Sequence, residues 1–214
     1  MPGLFDRAIR GVWGWLGGIT GWWSPSPDKP TIPGQSFDAW AAQIPDGSFI
    51  AVHQLESKDD AASDGIEAAE NGYWGHIISG KYGSNCFEAI EPCFSLSPLS
   101  KYNDPKKYQL VAFVADLTPG EVVNLRMFYA GQLGKPYPIR EIVHDAFPPV
   151  PGVNDDFDCS GGTSKGWQKC VPRIRIFPAA KDSRPQDVFP QEIYNTCEPQ
   201  TAVFKMLPWN VKLP

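Results

Sequence analysis

A cysteine at the start of a predicted helix is the residue in this sequence best suited to chemistry. Cys159 stands in Phe157-Asp-Cys-Ser-Gly-Gly162, where a loop ends in small residues and a helix can begin. A thiol becomes a good nucleophile when its proton is taken or its pKa is lowered, and a helix N-terminus favours the thiolate. The backbone N–H groups of this turn, that of Ser160 among them, could also bind the oxyanion of a tetrahedral intermediate. The segment therefore predicts a nucleophilic Cys159.

A histidine and a glutamate on neighbouring predicted strands could complete such a site. His76 lies in the apolar segment Trp74-Gly-His-Ile-Ile-Ser-Gly80, and Glu88 follows twelve residues later in a second strand. Antiparallel pairing across a turn at residues 81–85 would bring the carboxylate beside the imidazole. An acceptor in that position orients the ring and stabilises the imidazolium. We therefore predict His76 as the general base and Glu88 as its orienting partner.

Other residues compete for both roles. All three histidines precede the cysteine, and His144, in the loop before it, is the alternative base. His53 lies on a predicted strand, where a structural role is the simpler explanation. Glu91 is close to Glu88 and competes with it, and either residue could instead be a solvated surface carboxylate.

Two sequence blocks around the cysteine resemble a known family. Leu133-Gly-Lys-Pro-Tyr137, a variable loop and Phe157-Asp-Cys-Ser-Gly161 are similar to the nucleophile region of the NlpC/P60 family of papain-like cysteine peptidases. In that family the histidine strand normally follows the cysteine, whereas here it precedes it. This order resembles the circularly permuted, YiiX/YaeF-like branch of the superfamily. The matching blocks run from about residue 47 to residue 167, a little over half the chain.

The resemblance implies both a fold and a set of roles. The fold would be α+β, a permuted papain-like arrangement with an antiparallel sheet packed on helices. Cys159 would be the nucleophile, His76 the base and Glu88 the orienting residue. Tyr137 matches a tyrosine that lies near the active site and assists the oxyanion, and Asp158 matches an aspartate that contacts the free amine of a peptidoglycan peptide.

The chain departs from the family pattern directly after the cysteine. Gly161, Gly162 and Gly166 stand where the family runs into an apolar helix face. Each glycine costs a helix interior about 1 kcal/mol relative to alanine. We therefore expect a less rigidly held nucleophile and an activity below what the motif alone suggests.

These residues favour a cysteine hydrolase that cleaves an amide bond, with cell-wall (peptidoglycan) peptide as the leading substrate. One alternative is an acyl or lipid ester hydrolase, or an acyltransferase, of the same fold. The other is a catalytically weak structural component of a phage virion or cell envelope. None of these needs a cofactor, and no metal site is predicted. The cell envelope, secretion or a virion is favoured over the cytosol.

The first 33 residues form two predicted segments ahead of a hydrolase domain at 34–214. Residues 1–23 carry an apolar stripe at helical spacing and four of the eight tryptophans. This segment fits a helix that lies on a membrane surface, docks on a partner protein or packs on its own domain better than a signal peptide or a membrane span. Residues 24–33 read as a stiff proline-rich linker.

Composition indicates a globular protein. Hydrophobic residues make up 42% and charged residues 20%, and the net charge is −5 without a basic cluster, which argues against a nucleic-acid partner. The five cysteines are an odd number, so four would remain beside Cys159. Disulfides among them and buried free thiols are equally compatible with the sequence.

The pattern predicts a mixed set of elements. Strands are expected at 48–54, 73–79, 86–90 and 108–114, and a helix starts after the capping residue Thr118 and ends at Gly134. A further helix should begin at Cys159, and residues 136–158 are expected to be a loop. The polar, alanine-rich stretch 57–71 is either a short helix or a loop.

Overall fold

The computed structural model describes residues 35–55, 73–90, 92–137, 158–182 and 187–211. Within these ranges the chain forms one six-stranded antiparallel sheet and four α-helices, so the predicted α+β class is confirmed. The predicted N-terminal segment 1–23, the linker 24–33 and the whole stretch 57–71 lie outside the described residues. The domain boundaries therefore stay predictions.

The sheet has the strand order β4-β3-β2-β1-β5-β6. Its strands are β1 (Phe49–Gln54), β2 (His76–Tyr82), β3 (Asn85–Ile90), β4 (Cys93–Pro98), β5 (Tyr108–Ala115) and β6 (Phe204–Trp209). All neighbouring pairs are antiparallel. The four predicted strands are present, although the one expected at 73–79 begins at His76 and continues to Tyr82.

Two strands were not predicted, and both lie at the edges of the sheet. β4 reads Cys-Phe-Ser-Leu-Ser-Pro and ends on a proline. β6 contains Pro208, which is tolerated because an edge strand needs no hydrogen-bond donor on its outer side. Because edge strands tolerate proline and polar residues, neither β4 nor β6 has the apolar pattern from which a strand is predicted.

Four α-helices pack on the sheet: α1 (Phe37–Ala41), α2 (Pro119–Ala130), α3 (Cys159–Cys170) and α4 (Pro190–Cys197). α2 begins with the predicted capping box, in which Thr118 accepts from the Glu121 N–H and the Glu121 carboxylate accepts from the Thr118 N–H. The helix ends earlier than expected, at Ala130, and Gly134 at φ +81° belongs to the following turn. None of the described helices is long and apolar enough to span a membrane.

Alternate residues of the central strands build a core on each face of the sheet. Phe49, Ala51 and Ile77 face one core, which also contains buried side chains of α2, α3 and α4. Ile50 and Val52 face the other core, which α1 covers. The sheet is thus buried on both sides, and α3 lies on the face opposite α1.

Glycine in α3 allows a close helix–helix approach. A Cβ atom at Gly166 would lie 2.8 Å from the Tyr129 hydroxyl oxygen and 2.9 Å from its Cε1, so only glycine fits against this ring of α2. The expected weakness of α3 is therefore offset in part by packing that a larger residue would prevent.

The cysteines form no disulfide. Two of them (Cys86 and Cys197) are buried besides Cys159, and the remaining two (Cys93 and Cys170) are partly buried. Of the two possibilities that the sequence left open, the structure has free thiols.

Candidate active site

Cys159 is the first residue of α3, as predicted. Asp158 is the N-cap of this helix, and its carboxylate accepts a hydrogen bond from the Gly161 N–H. The sulfur thus lies at the positive end of the dipole of a twelve-residue helix. Cys159 is only 1% exposed, and Asp158 and His76, each 8% exposed, are the more accessible neighbours.

His76 and Glu88 lie on the same face of the β2–β3 hairpin. Glu88 pairs with Ile78, two residues along β2 from His76, so the two side chains are diagonal neighbours. His76 Nε2 lies 3.5 Å from Glu88 Oε2. That separation is an ion-pair distance and too long for a good N–H···O bond, and Nε2 has no direct hydrogen-bond partner among the described residues.

The third member of the group, Cys159, acts on the same imidazole. Burial alone would lower the pKa of His76, but the negative charge of Cys159 and a hydrogen bond with it, together with the contact with and charge of Glu88, raise that pKa to about 10. The structure therefore brings the three predicted residues together; their catalytic roles stay predictions.

Glu88 is fully buried and binds more than the histidine. Lys101 Nζ lies 2.5 Å from Oε1, the Tyr102 hydroxyl donates to Oε2 at 2.6 Å, and Cys86 Sγ lies 3.8 Å from Oε1. Burial alone would raise the pKa of Glu88, but the contact with and charge of His76, followed by the charge of and hydrogen bond from Lys101, lower it to about 2. The carboxylate is therefore ionised at neutral pH despite its burial.

Two partners of Glu88, Lys101 and Tyr102, were not predicted from the sequence. Both lie in a 3₁₀ turn, Leu99–Tyr102, that follows β4 directly. Because β4 itself was not recognised, nothing in the sequence placed this turn beside Glu88. The only local signal was a cation following an apolar run, which is too common to be informative.

A buried pair of hydroxyl groups connects α3 to β2. Thr163 Oγ1 lies 2.6 Å from the carbonyl oxygen of Cys159 and 2.9 Å from Ser79 Oγ. The carbonyl can only accept, so the single Thr163 proton goes to it and the Ser79 hydroxyl donates to Thr163. Ser79 is three residues from His76 on the same strand. The pair thus ties the helix that carries the sulfur to the strand that carries the imidazole.

The remaining predicted residues have mixed positions. Tyr137 is partly buried against the core that contains Cys159, and its backbone N–H donates to Pro92. Ser160 is buried in the first turn of α3. Asp158 caps this helix, so a contact with a substrate amine would be an additional role for a carboxylate already in use. His53 stacks on Tyr73, with ring centroids 3.9 Å apart.

The alternative base His144 and the alternative acceptor Glu91 lie outside the described residues. Neither alternative is tested by the geometry around His76 and Glu88.

The described side chains around Cys159, His76 and Glu88 do not form a group that suits a metal ion. Within the described ranges no three His, Cys, Asp or Glu side chains are grouped in a way that could hold one. At Glu88 the ammonium group of Lys101 already occupies the surroundings of Oε1, where a cation would have to bind.

Comparison with known proteins gives a structural likeness without a sequence family. No protein-family model and no curated protein matches the sequence. Among solved structures, YiiX from Escherichia coli O157:H7 superimposes with a TM-score of 0.54 at 18% identity. The match covers 80% of this chain and 99% of YiiX.

YiiX is described as a metalloprotein of DUF1105. That description belongs to YiiX, and at this identity the likeness concerns the fold alone. It agrees with the YiiX-like part of the resemblance seen in the sequence. The chain thus has a YiiX-like α+β fold.

Proposed function

We propose that this chain is a cysteine hydrolase of the permuted papain-like, NlpC/P60 type that cleaves an amide bond. The observation that carries the proposal is the position of His76, which interacts with the Cys159 sulfur and with the buried carboxylate of Glu88. A thiol, an imidazole and an orienting carboxylate are the parts that acyl transfer through a thioester requires. The permuted order of the histidine strand and the cysteine helix, together with the YiiX-like fold, supports the assignment.

The reaction follows from these three groups. The Cys159 thiolate attacks the carbonyl carbon, and N–H groups of the first turn of α3 stabilise the oxyanion. The His76 imidazolium gives its proton to the leaving amine as the C–N bond breaks, which leaves a thioester on Cys159. Neutral His76 then takes a proton from water, the hydroxide attacks the thioester, and the carboxylic acid leaves with the thiolate restored. Glu88 stabilises the imidazolium in both halves of the reaction.

The substrate class is a cell-wall peptide, and this part rests on the family resemblance. Asp158 lies directly before the nucleophile, so a carboxylate is close enough in the chain to contact a substrate amine while it caps the helix. Because Cys159 is 1% exposed, the carbonyl reaches the sulfur only after the atoms that cover it have moved. We therefore expect slow turnover with small, unspecific amides.

The test is the release of new amines from purified peptidoglycan. We expect release with the unaltered protein and at least a hundredfold loss in Cys159→Ala and His76→Ala, because both groups act in the bond-breaking step. Cys170→Ala is the matched control, since this cysteine lies at the other end of the same helix, about 16 Å away at 1.5 Å per residue. It should leave the rate unchanged.

Each other outcome selects a different function. Release of acid from thioester or lipid-ester substrates, lost in Cys159→Ala, with no amine from peptidoglycan, would favour the acyl ester hydrolase or acyltransferase. No turnover on either substrate, with Cys159 no more reactive toward iodoacetamide than Cys170, would leave the structural component of a virion or envelope as the better account.

A further inference from the structure

Glu88 is a buried acid held by a cation that the proposed reaction does not use. The side chain is fully buried, and a carboxylate in such a place is costly unless it is paired and hydrogen-bonded. His76 cannot supply this pairing alone, because its Nε2 is 3.5 Å away and makes no direct hydrogen bond. The anchoring contacts come from the turn after β4.

The two oxygens of Glu88 have different partners. Oε1 faces the Lys101 ammonium at 2.5 Å, and Oε2 accepts the Tyr102 hydroxyl at 2.6 Å. Oε2 is also the oxygen that faces His76. Among the described residues, Lys101 is thus the only lysine or arginine that contacts this carboxylate, and it binds the oxygen that the histidine does not face.

Lys101 is itself held in place. Its ammonium lies 4.9 Å from the centre of the Tyr102 ring, a cation–π distance, and its side chain is 31% exposed. It therefore reaches from the surface into the interior, with its charged end at Glu88. A lysine that only solubilised the surface would keep that end in water.

We propose that Lys101 is a positioning residue of the site: with Tyr102 it fixes the Glu88 carboxylate, in its ionised form, as the acceptor for His76. Its importance for catalysis rests on the proposed function, whereas its action on Glu88 and His76 does not. The other polar groups that face Glu88 are Cys86 on its own strand and His76 on β2, and the Tyr108 ring packs on Tyr102.

The sign of the expected change follows from linkage. The pKa of Glu88 is lowered in the folded state, so its ionisation stabilises the fold above the unfolded value near 4.5, and that stability is lost as pH falls through about 2. Removing the Lys101 charge leaves burial opposed by fewer groups, and the pKa of Glu88 rises. An opposite charge at this distance lowers a carboxyl pKa by roughly one to three units.

The experiment compares Lys101→Met and Lys101→Arg with the unaltered protein. Lys106→Met, which removes an exposed lysine five residues further on, is the matched control. The first readout is acid unfolding followed by tryptophan fluorescence. The second is NMR titration of the imidazole C–H resonances, of which the chain has only three sets. We expect Lys101→Met to raise the acid midpoint by roughly half a pH unit, because several protons are taken up on unfolding, and to give His76 a new titration step at acidic pH, where Glu88 takes up a proton.

Lys101→Arg should restore both readouts, and Lys106→Met should change neither. Equal acid midpoints and equal His76 titrations in Lys101→Met and the unaltered protein would overturn the proposal. If Lys101→Met does not fold, the double variant Lys101→Met/Glu88→Gln decides. Recovery of folding shows that the uncompensated carboxylate was the cause, and failure shows that Lys101 acts elsewhere.

Both readouts are independent of turnover. If Cys159→Ala leaves hydrolysis unchanged, the proposed function fails while the effect of Lys101 on Glu88 still stands. If hydrolysis depends on Cys159 but Lys101→Met behaves like the unaltered protein, only the role of Lys101 fails.

Discussion

The hydroxyl pair between α3 and β2 should set the distance between the sulfur and the imidazole. Thr163→Val keeps the shape of the side chain but removes the group that bonds the Cys159 carbonyl and accepts from Ser79. It leaves the fully buried Ser79 hydroxyl without this partner, which costs about 1–3 kcal/mol of unfolding free energy. Ser79→Ala removes only one neutral hydrogen bond and costs about 0.5–1.5 kcal/mol.

The double variant Ser79→Ala/Thr163→Val leaves no unpaired hydroxyl at this point. Its cost should therefore be smaller than the sum of the two single costs, by about 1 kcal/mol, since residues in contact are coupled. The free energies of unfolding of the unaltered protein, the two single variants and the double variant are measured by urea unfolding. The comparison is valid where the m-value is the same in all four proteins. Thr196→Val is the matched control, because Thr196 makes the same bond to the carbonyl four residues before it within α4.

The functional readout of the same variants is the NMR titration of His76. If the pair holds the helix in register with the strand, Thr163→Val moves the sulfur charge away from the ring and the pKa of His76 falls. Costs that add within about 0.3 kcal/mol, together with an unchanged His76 titration, would refute the reasoning.

Three further predictions concern the same elements. Gly166→Ala forces a Cβ atom against the Tyr129 ring, and the packing cost of about 1–3 kcal/mol should exceed the gain of about 1 kcal/mol in helix propensity. Urea unfolding should therefore show a lower free energy of unfolding for this variant. Gly120→Ala is the control: it has open space around the new Cβ atom and should be neutral or stabilising in the same assay. Cys159→Ala should lower the pKa of His76 from about 10, because the sulfur charge is the largest favourable contribution, and an unchanged NMR titration would show that the two do not interact. Protonation of His76 stabilises the fold fully below its unfolded pKa of about 6.5, and this contribution is lost as pH rises through about 10. Between these pH values the melting temperature of the unaltered protein should therefore fall more than that of His76→Gln. Equal declines in the two proteins would contradict this prediction.

Much of the sheet could be predicted because its central strands are strongly apolar. β1 and β5 are buried on both faces of the sheet, so each is a run of apolar residues that can be recognised as a strand in the sequence. α2 was equally clear, because Thr118 and Glu121 form a capping box that depends only on local spacing. The edge strands β4 and β6 carry no such signal. The short helices α1 and α4 do carry local start signals, Ser36 for α1 and Pro190 with Glu192 for α4, but neither was predicted because such short helices depend on tertiary packing for stability.

The candidate site was accessible to sequence reasoning where it depends on short-range geometry. A hairpin places Glu88 diagonally to His76, and a helix start places Cys159, so both positions follow from neighbouring residues. Lys101 and the bond between Ser79 and Thr163 depend on contacts between distant segments. The near-complete burial of Cys159 was equally out of reach, because exposure is a property of the assembled fold.

Because Cys159 is buried, the rate at which it reacts reports how often the structure around it opens. If the sulfur is reachable in only a fraction of molecules at any moment, every observed alkylation or acylation rate is the intrinsic rate multiplied by this fraction. Each increase of about 1.4 kcal/mol in the free energy of this local opening then slows the observed rate tenfold. A membrane surface or a partner protein that favours the open form would therefore accelerate the reaction without contacting Cys159, His76 or Glu88.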